Sequence, residues 1–341
     1  MFKKIAALAT AAVLCAGLMA GCGASSTTAD TSYSAENPLV LTLAHGLSEA
    51  HTVHIAMTQF AEEVNEKTDG RVQVKIFPNG QLGSENENLE QLQAGVIAMT
   101  KVSAPGLATY NEAYNAFGLP YIFNDTEDFY HVMDSQQMQD FFLSTGDDGF
   151  VTLTYYTSGA RSFYTKDKAI RTPADLKGLK IRVMSSPVFI RMYEVLGANP
   201  TPMSFSEVFT GLQQNVINGQ ENPPTLIYAS GFQEVQKYLT LDNHVHNFLA
   251  VLTNENWLNS LSADDQQLVK DCVAEMVTTQ RSMELEDNDA VVAKLQDAGM
   301  EVNELTDEQY QAFVDAVQPM YDEYKQQWGT EIFDLATSYN K

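Results

Sequence analysis

From Leu39 onward the chain alternates short β-rich runs with amphipathic stretches, and the connections between them are brief. That alternation is the pattern of α/β folds, in which a helix returns the chain so that the next strand lies parallel to the last. Leu39-Val40-Leu41-Thr42-Leu43-Ala44 reads as a strand, and Val53, Met57, Phe60, Ala61 and Val64 follow at helical spacing. Asp69-Gly70 ends that helix, Val72 to Phe77 is a second strand, and Pro78-Asn79-Gly80 turns the chain. Ser84 with Glu87 has capping-box spacing and opens a helix through Leu89 and Leu92. A mostly parallel sheet is predicted.

A second such rhythm begins near Gly159. Thr172-Pro173 starts a short helix that Gly178 closes, the strand Leu179 to Val183 follows, and Ser204 with Glu207 again has capping-box spacing. Two α/β lobes are the natural reading. Asp264 to Asp297 runs without Gly or Pro, with Leu268, Cys272 and Met276 on one row and Val269, Val273 and Val277 on the next. As one helix it would reach about 50 Å and lie across both lobes. Because the stripe weakens from Thr278 to Ser282, two shorter helices also fit.

The amino terminus reads as an export signal. Lys3 and Lys4 precede an apolar run from Ile5 to Ala16, which is too short to span a bilayer comfortably. Gly23 to Glu36 is rich in Ser, Thr, Ala and Gly and reads as a tether. Cys15 lies in the signal, and Cys272 sits on an apolar helical stripe, as a small buried hydrophobe would. With 20 Lys and Arg against 44 Asp and Glu, the net charge is −24. Such a surface repels phosphate backbones and anionic headgroups, which argues against nucleic-acid binding or charge-driven membrane docking.

The charge is unevenly spread. Eight basic residues lie between Arg161 and Arg191 against Asp167 and Asp175 alone. Most of the eight read as solvated surface charges. Arg182 differs, because Ile181 and Val183 flank it within a strand and alternation puts it on the opposite face from both. In a cleft its guanidinium needs a partner with two coplanar acceptors, a requirement met equally by a ligand carboxylate or by an internal Asp or Glu. Gly219-Gln220-Glu221-Asn222-Pro223-Pro224 offers an anion and an amide before two prolines, and in isolation also reads as a polar turn. Tyr155, Tyr156, Phe163, Tyr164 and Phe205 are core candidates, of which one or two suit stacking on a sugar ring. His51 with His54, and His244 with His246, lack the Cys, His or carboxylate company of a metal site, so no metal and no cofactor is expected. No phosphate loop, nucleophile elbow or zinc-protease signature occurs.

Four stretches taken together carry a resemblance: Phe77 to Gly83, Asp175 to Val183, Thr201 to Val208, and Asn218 to Pro223. In this order and spacing, behind an export signal, the chain resembles the extracytoplasmic substrate-binding proteins of tripartite ATP-independent periplasmic (TRAP) transporters, the DctP family. Leu18-Met19-Ala20-Gly21-Cys22 likewise resembles a lipoprotein processing site, with Met19 where leucine is usual. That likeness implies removal of 1–21, a lipid such as palmitate on Cys22, and a tether over 22–37. A soluble secreted protein cleaved elsewhere is the alternative. The family likeness implies an α/β, two-lobed periplasmic-binding-protein-like fold with a long helix spanning both lobes. Lobe I would comprise 38–159 plus 248–287, and lobe II 160–247 plus 288–341.

It further implies an organic acid as ligand, its carboxylate paired with Arg182, with Asn222 bonding the carboxylate or an adjacent hydroxyl. Phe205 would pack near the ligand, Arg161 would be a second cationic contact, and Ser185 a polar one. His45 and Glu85 would reach in from the other lobe. The expected protein is therefore no enzyme. It would be exported and lipid-anchored or periplasmic, capturing a sugar acid first or a C4-dicarboxylate next, and delivering it to a small and a large integral membrane subunit. The rival readings are an exported sugar-acid enzyme, for which the chain offers no nucleophile–base set, and a ligand-sensing module for a receptor.

Overall fold

A computed structural model describes residues 33–144, 149–328 and 331–338. The export signal and Cys22 lie outside the described residues. Nine strands form one sheet in the order β2-β1-β3-β8-β4-β7-β5-β6, with β9 beside β8. They are β1 (Leu39–Ala44), β2 (Val72–Phe77), β3 (Met99–Ser103), β4 (Phe150–Thr165), β5 (Lys180–Val183), β6 (Asn199–Pro202), β7 (Gly219–Asn222), β8 (Tyr238–Asn254) and β9 (Glu301–Glu304).

The expected parallel sheet occurs in the two wings, where β1 pairs with β2 and β3, and β5 with β6 and β7. The centre is different. β4 and β8 are antiparallel to each other along nearly their whole lengths, β3 runs antiparallel to β8, and β7 antiparallel to β4. The sheet is thus mixed, and its two longest strands were absent from the sequence pattern because both faces are covered. Without a wet face, no polar alternation marks them. Their register shifts three times, between Thr152 and Thr154, between Thr157↔Phe248 and Ala160↔His246, and between Arg161 and Phe163. Gly159 sits in the second of these shifts at φ 81°, a left-handed conformation that glycine adopts without penalty.

Local rules placed the wing elements. Ser84 and Glu87 form the capping box that opens helix Glu85–Gln93, and Ser204 and Glu207 form another for helix Phe205–Gln213. Gly219–Asn222 is a buried strand between β4 and β5 and not a polar turn; the prolines act only afterwards, opening helix Pro224–Ala229.

Ala263–Asp297 is one helix of 35 residues, about 50 Å at ~1.5 Å per residue. Its first half packs Val269, Cys272, Val273 and Met276 with Val53, Met57 and Phe60 of helix Thr52–Lys67 in lobe I. Its last turns pack Val291 and Leu295 with Val208, Leu212 and Leu239 in lobe II. Where the apolar stripe weakens, Gln280 and Glu284 are buried instead, so the helix continues on a polar seam. The opposite face of the sheet carries an aromatic core including Phe117, Phe129, Phe142, Phe163, Phe248 and Phe313. Helix Asp307–Trp328 packs on Pro187–Val195 of lobe II, whereas helix Glu331–Thr337 packs on Thr126–Met133 and the turn Glu112–Gly118 of lobe I. The end of the segment 288–341 thus contacts elements of the 38–159 segment.

Candidate functional site

Between the wings, where β4 and β8 cross from one lobe to the other, lies a cleft of about 110 Å³. At roughly 10–15 Å³ per water-sized unit it holds on the order of ten such units, the scale of a small organic molecule. Lobe I contributes the start of helix Glu85–Gln93 together with Lys101 and Ser103 of β3, and lobe II contributes Arg182 of β5 and the start of helix Phe205–Gln213. Arg161, Ser158 and Asn247 come from the crossing strands themselves.

Arg182 is 3% exposed, and its Nε donates to Met203 O at 2.9 Å. No hydrogen bond or ion pair joins its two terminal nitrogens to any carboxylate among the described residues, although the side chain lines the cleft. Burial, opposed by the charge of Glu221 and reinforced by that of Arg161, lowers its pKa to about 10, so it remains a cation at neutral pH. Its Cζ lies 5.9 Å from the Phe205 ring centre, within cation–π range.

Arg161 is equally buried but is already paired. Its Nε and Nη2 bond both oxygens of Glu221, the latter at 2.7 Å; Nη2 also reaches Asn222 Oδ1 at 2.8 Å, and Nη1 reaches Asn247 Oδ1 at 3.0 Å. Burial would raise the Glu221 carboxyl, but Arg161 and His244 outweigh it and hold it below its ordinary value. His244 lies between Glu221 Oε2 at 3.2 Å and Asp242 Oδ2 at 2.8 Å. Although burial disfavours its charge, these two acids raise it to about 9. Asn222 is in the wall, but its amide nitrogen donates to Gln220 Oε1 at 2.6 Å.

On the facing lobe Glu85 is ion-paired with Lys101 and accepts from Ser103 N at 3.2 Å. Its side chain is 26% exposed, into the cleft, and Lys101 outweighs the effect of burial to lower its pKa. Ser185 sits exposed at the rim, and Phe205 lines the wall. His45 does not join them. It is fully buried behind the wall, Nδ1 accepting from Leu47 N and Nε2 3.1 Å from His54 Nδ1; burial, aided by Lys101, lowers it to about 3. Leu47, two residues on, lines the cleft in its stead. Tyr155, Tyr156, Phe163 and Tyr164 are core.

Sequence reading missed Lys101, Asn247 and Ser158. The signal for Lys101 was a lysine inside Met99-Thr100-Lys101-Val102, a run otherwise fit for burial; the other two sit in the strands that pattern did not reveal.

Two lobes joined by crossing strands thus flank a buried guanidinium whose terminal nitrogens bond no carboxylate among the described residues, an arrangement suited to holding a small anion. Residues 43–327 match the family described as bacterial extracellular solute-binding protein, family 7, DctP. The 2,3-diketo-L-gulonate-binding periplasmic protein YiaO of Escherichia coli (strain K12) is 34% identical over 270 residues, which is 79% of this chain and 82% of that protein. A TRAP periplasmic solute binding protein from Anaerococcus prevotii, with bound α/β-D-glucuronate, superposes at a TM-score of 0.84 with 33% identity, covering 88% of this chain and 98% of that one. Another from Shewanella oneidensis, with bound succinate, gives 0.86 and 29%, covering 89% and 100%. The chain belongs to the DctP family of TRAP solute-binding proteins.

Proposed function

We propose that this protein captures a small organic acid outside the cytoplasmic membrane, with Arg182 binding the carboxylate, and hands it to the small and large membrane subunits of a TRAP transporter. The observation that carries this reading is Arg182 itself, a buried guanidinium bonded to Met203 O and, among the described residues, to no carboxylate. A cation so placed is stabilised by an anion with two coplanar oxygens, through paired charge-assisted hydrogen bonds. The relatives named for 2,3-diketo-L-gulonate or solved with glucuronate and succinate support an organic acid as the ligand class, within which our reading puts sugar acids ahead of C4-dicarboxylates. Phe205, Asn222, Ser185, Arg161 and Glu85 complete the contacts in this reading, Arg161 and Asn222 through the bonding capacity that their internal partners leave free. His45 acts only from behind the wall.

In this reading the lobes meet near 159/160 and 247/248, close to the register shift between Thr157 and Ala160. Ligand binding shifts an open–closed equilibrium by its differential affinity for the closed form, and the closed lobes form the surface the membrane subunits recognise. Cys22 carries lipid and anchors the folded body through the 22–37 tether.

A thermal-shift titration with D-glucuronate and with neutral D-glucose tests the ligand class. The acid at 100 times its Kd adds about 2.7 kcal/mol to stability, and glucose adds nothing. Arg182→Ala and Arg182→Lys both lose about 2–5 kcal/mol of binding, since lysine lacks the fork geometry. Stabilisation by glucose and not by acids, or near-normal affinity in Arg182→Lys, overturns the assignment. Anchoring is tested by labelled palmitate, which Cys22→Ser fails to incorporate.

A further inference from the structure

Four charged side chains line the cleft, and they are not equivalent. Arg161 is matched by Glu221, and Lys101 is matched by Glu85. Behind Glu221, His244 and Asp242 form a bonded pair that is neutral as a unit whether their shared proton sits on the ring or on the carboxylate. The raised pKa of His244 keeps that proton in place at neutral pH. The cations Arg161, Arg182, Lys101 and His244 thus face the acids Glu85, Glu221 and Asp242, and the one positive charge left over is that of Arg182.

We propose that the ligand is a monocarboxylate whose remaining polar groups are hydroxyls, and that the Glu85–Lys101 pair on the lobe I wall reads those hydroxyls and rejects a second carboxylate. This rests on the pairing of Arg182 with the ligand carboxylate. One ligand charge neutralises the closed cleft; a second would be buried without a counter-charge, beside the Glu85 carboxylate, at the cost that attends any unpaired buried ion. The pair itself is suited to a neutral, two-way partner. Lys101 Nζ has three donors and spends one on Glu85, while Glu85 keeps acceptor capacity beyond Lys101 and Ser103 N. A hydroxyl both accepts from the ammonium and donates to the carboxylate, so a hydroxylated chain satisfies both members without separating them. Discrimination then comes from a repulsive element built into the site as well as from its attractions.

The test is isothermal titration of the exported chain with two monocarboxylates, D-glucuronate and D-galactonate, and two dicarboxylates, D-glucarate and succinate. D-glucarate matches D-glucuronate in carbon count and adds one carboxylate. The wild type should prefer its better monocarboxylate over both dicarboxylates by at least ~10-fold. Glu85→Gln leaves Lys101 unpaired and gives the cleft a second positive charge, so the ratio should move toward the dicarboxylates by ~10-fold or more. Glu85→Gln combined with Lys101→Met returns the surplus to one charge, and the ratio should move back while absolute affinity stays below wild type. That reversal separates charge from mere disturbance of the wall. A wild type that prefers a dicarboxylate, or binds none of the four, overturns the inference, as does a Glu85→Gln protein that loses affinity for both classes by the same factor. Arg182→Ala distinguishes the underlying reading: if it keeps wild-type affinity for D-glucuronate, the carboxylate pairing fails; if it loses it while the Glu85 variants leave the ratio unmoved, the pairing stands and the charge-balance inference alone falls.

Discussion

Glu284 makes the stability of this protein depend on pH in a direction opposite to that of most carboxylates. It is fully buried on the long helix, at the level where the lobes meet. Thr52 Oγ1, at the start of the first lobe I helix, donates to its Oε2 at 2.5 Å, and Thr225 Oγ1, in helix Pro224–Ala229, donates to its Oε1 at 2.8 Å. Asn288 Nδ2 adds a bond at 3.2 Å, and Gln280 Nε2, close by, bonds Thr157 O at 2.7 Å. No cation pairs with this carboxyl among the described residues. Burial therefore dominates, with Asp287 adding to it against the hydroxyl bonds, and the pKa rises to about 7. The unfolded chain releases the proton near ~4.3 while the folded chain keeps it, so the contribution is complete below ~4.3 and declines as pH rises through about 7. At ~1.4 kcal/mol per pKa unit the loss is about 3 kcal/mol between pH 4 and pH 8. Glu284→Gln keeps the shape and the capacity to bond the threonine hydroxyls but cannot ionise. Urea unfolding of both proteins at pH 4.5 and pH 8 isolates the effect, because every other titrating group cancels in the difference. The variant should gain about 3 kcal/mol on the wild type across that interval. A difference that stays flat within ~0.5 kcal/mol refutes the idea that this carboxyl is held protonated by burial.

Glu221→Gln leaves Arg161 and His244 buried against a neutral amide and should destabilise by about 3–5 kcal/mol in urea unfolding; a loss below ~1 kcal/mol would show the pair to be solvated. At Gly219 an added Cβ would stand 2.3 Å from the backbone oxygen of Tyr164, so Gly219→Ala must push β7 from β4 and should cost at least the ~1–3 kcal/mol of overpacking, with wild-type stability as the contrary result. Burial raises the Cys272 thiol to about 11, and in a chain with Cys15 and Cys22 replaced by Ser it should resist a thiol reagent at pH 8 until urea unfolds the protein; prompt labelling of the native chain would contradict its place in the core.

The parts of the fold legible in advance are those governed by neighbours in sequence. β1, β2, the helix start at Thr172-Pro173 and the capping boxes at Ser84 and Ser204 each depend on residues within three or four positions. β4 and β8 do not. Their partners lie about ninety positions apart, and each carries polar residues, Ser158 and Arg161 in one, Asp242, His244 and Asn247 in the other, that break an apolar run yet find partners across the pair, as Asn247 does with Ser158 and Arg161, or on β7, as Arg161 and His244 do with Glu221. The long helix was legible in length but not in continuity, since Gln280 and Glu284 look like a fault in the stripe until Thr52, Thr157 and Thr225 are seen to bond them.

The site divides along the same line. Flanking Ile181 and Val183 put Arg182 on the opposite face of its strand, but that placement left open whether its partner was internal. An acid distant in sequence decides that question, and for each cation of the cleft the answer differed: Glu221 reaches Arg161 across sixty positions, Glu85 reaches Lys101 across sixteen, and no acid among the described residues bonds Arg182. A chain of net charge −24 thus encloses a cleft that is positive by one. The surplus of surface acids does not cancel it, because charges beyond a Debye length of ~8 Å are screened by salt while Arg182 is buried in the cleft wall. In the proposed reading, selectivity for an anion follows from which acid is missing beside one arginine among the described residues, and not from the total charge.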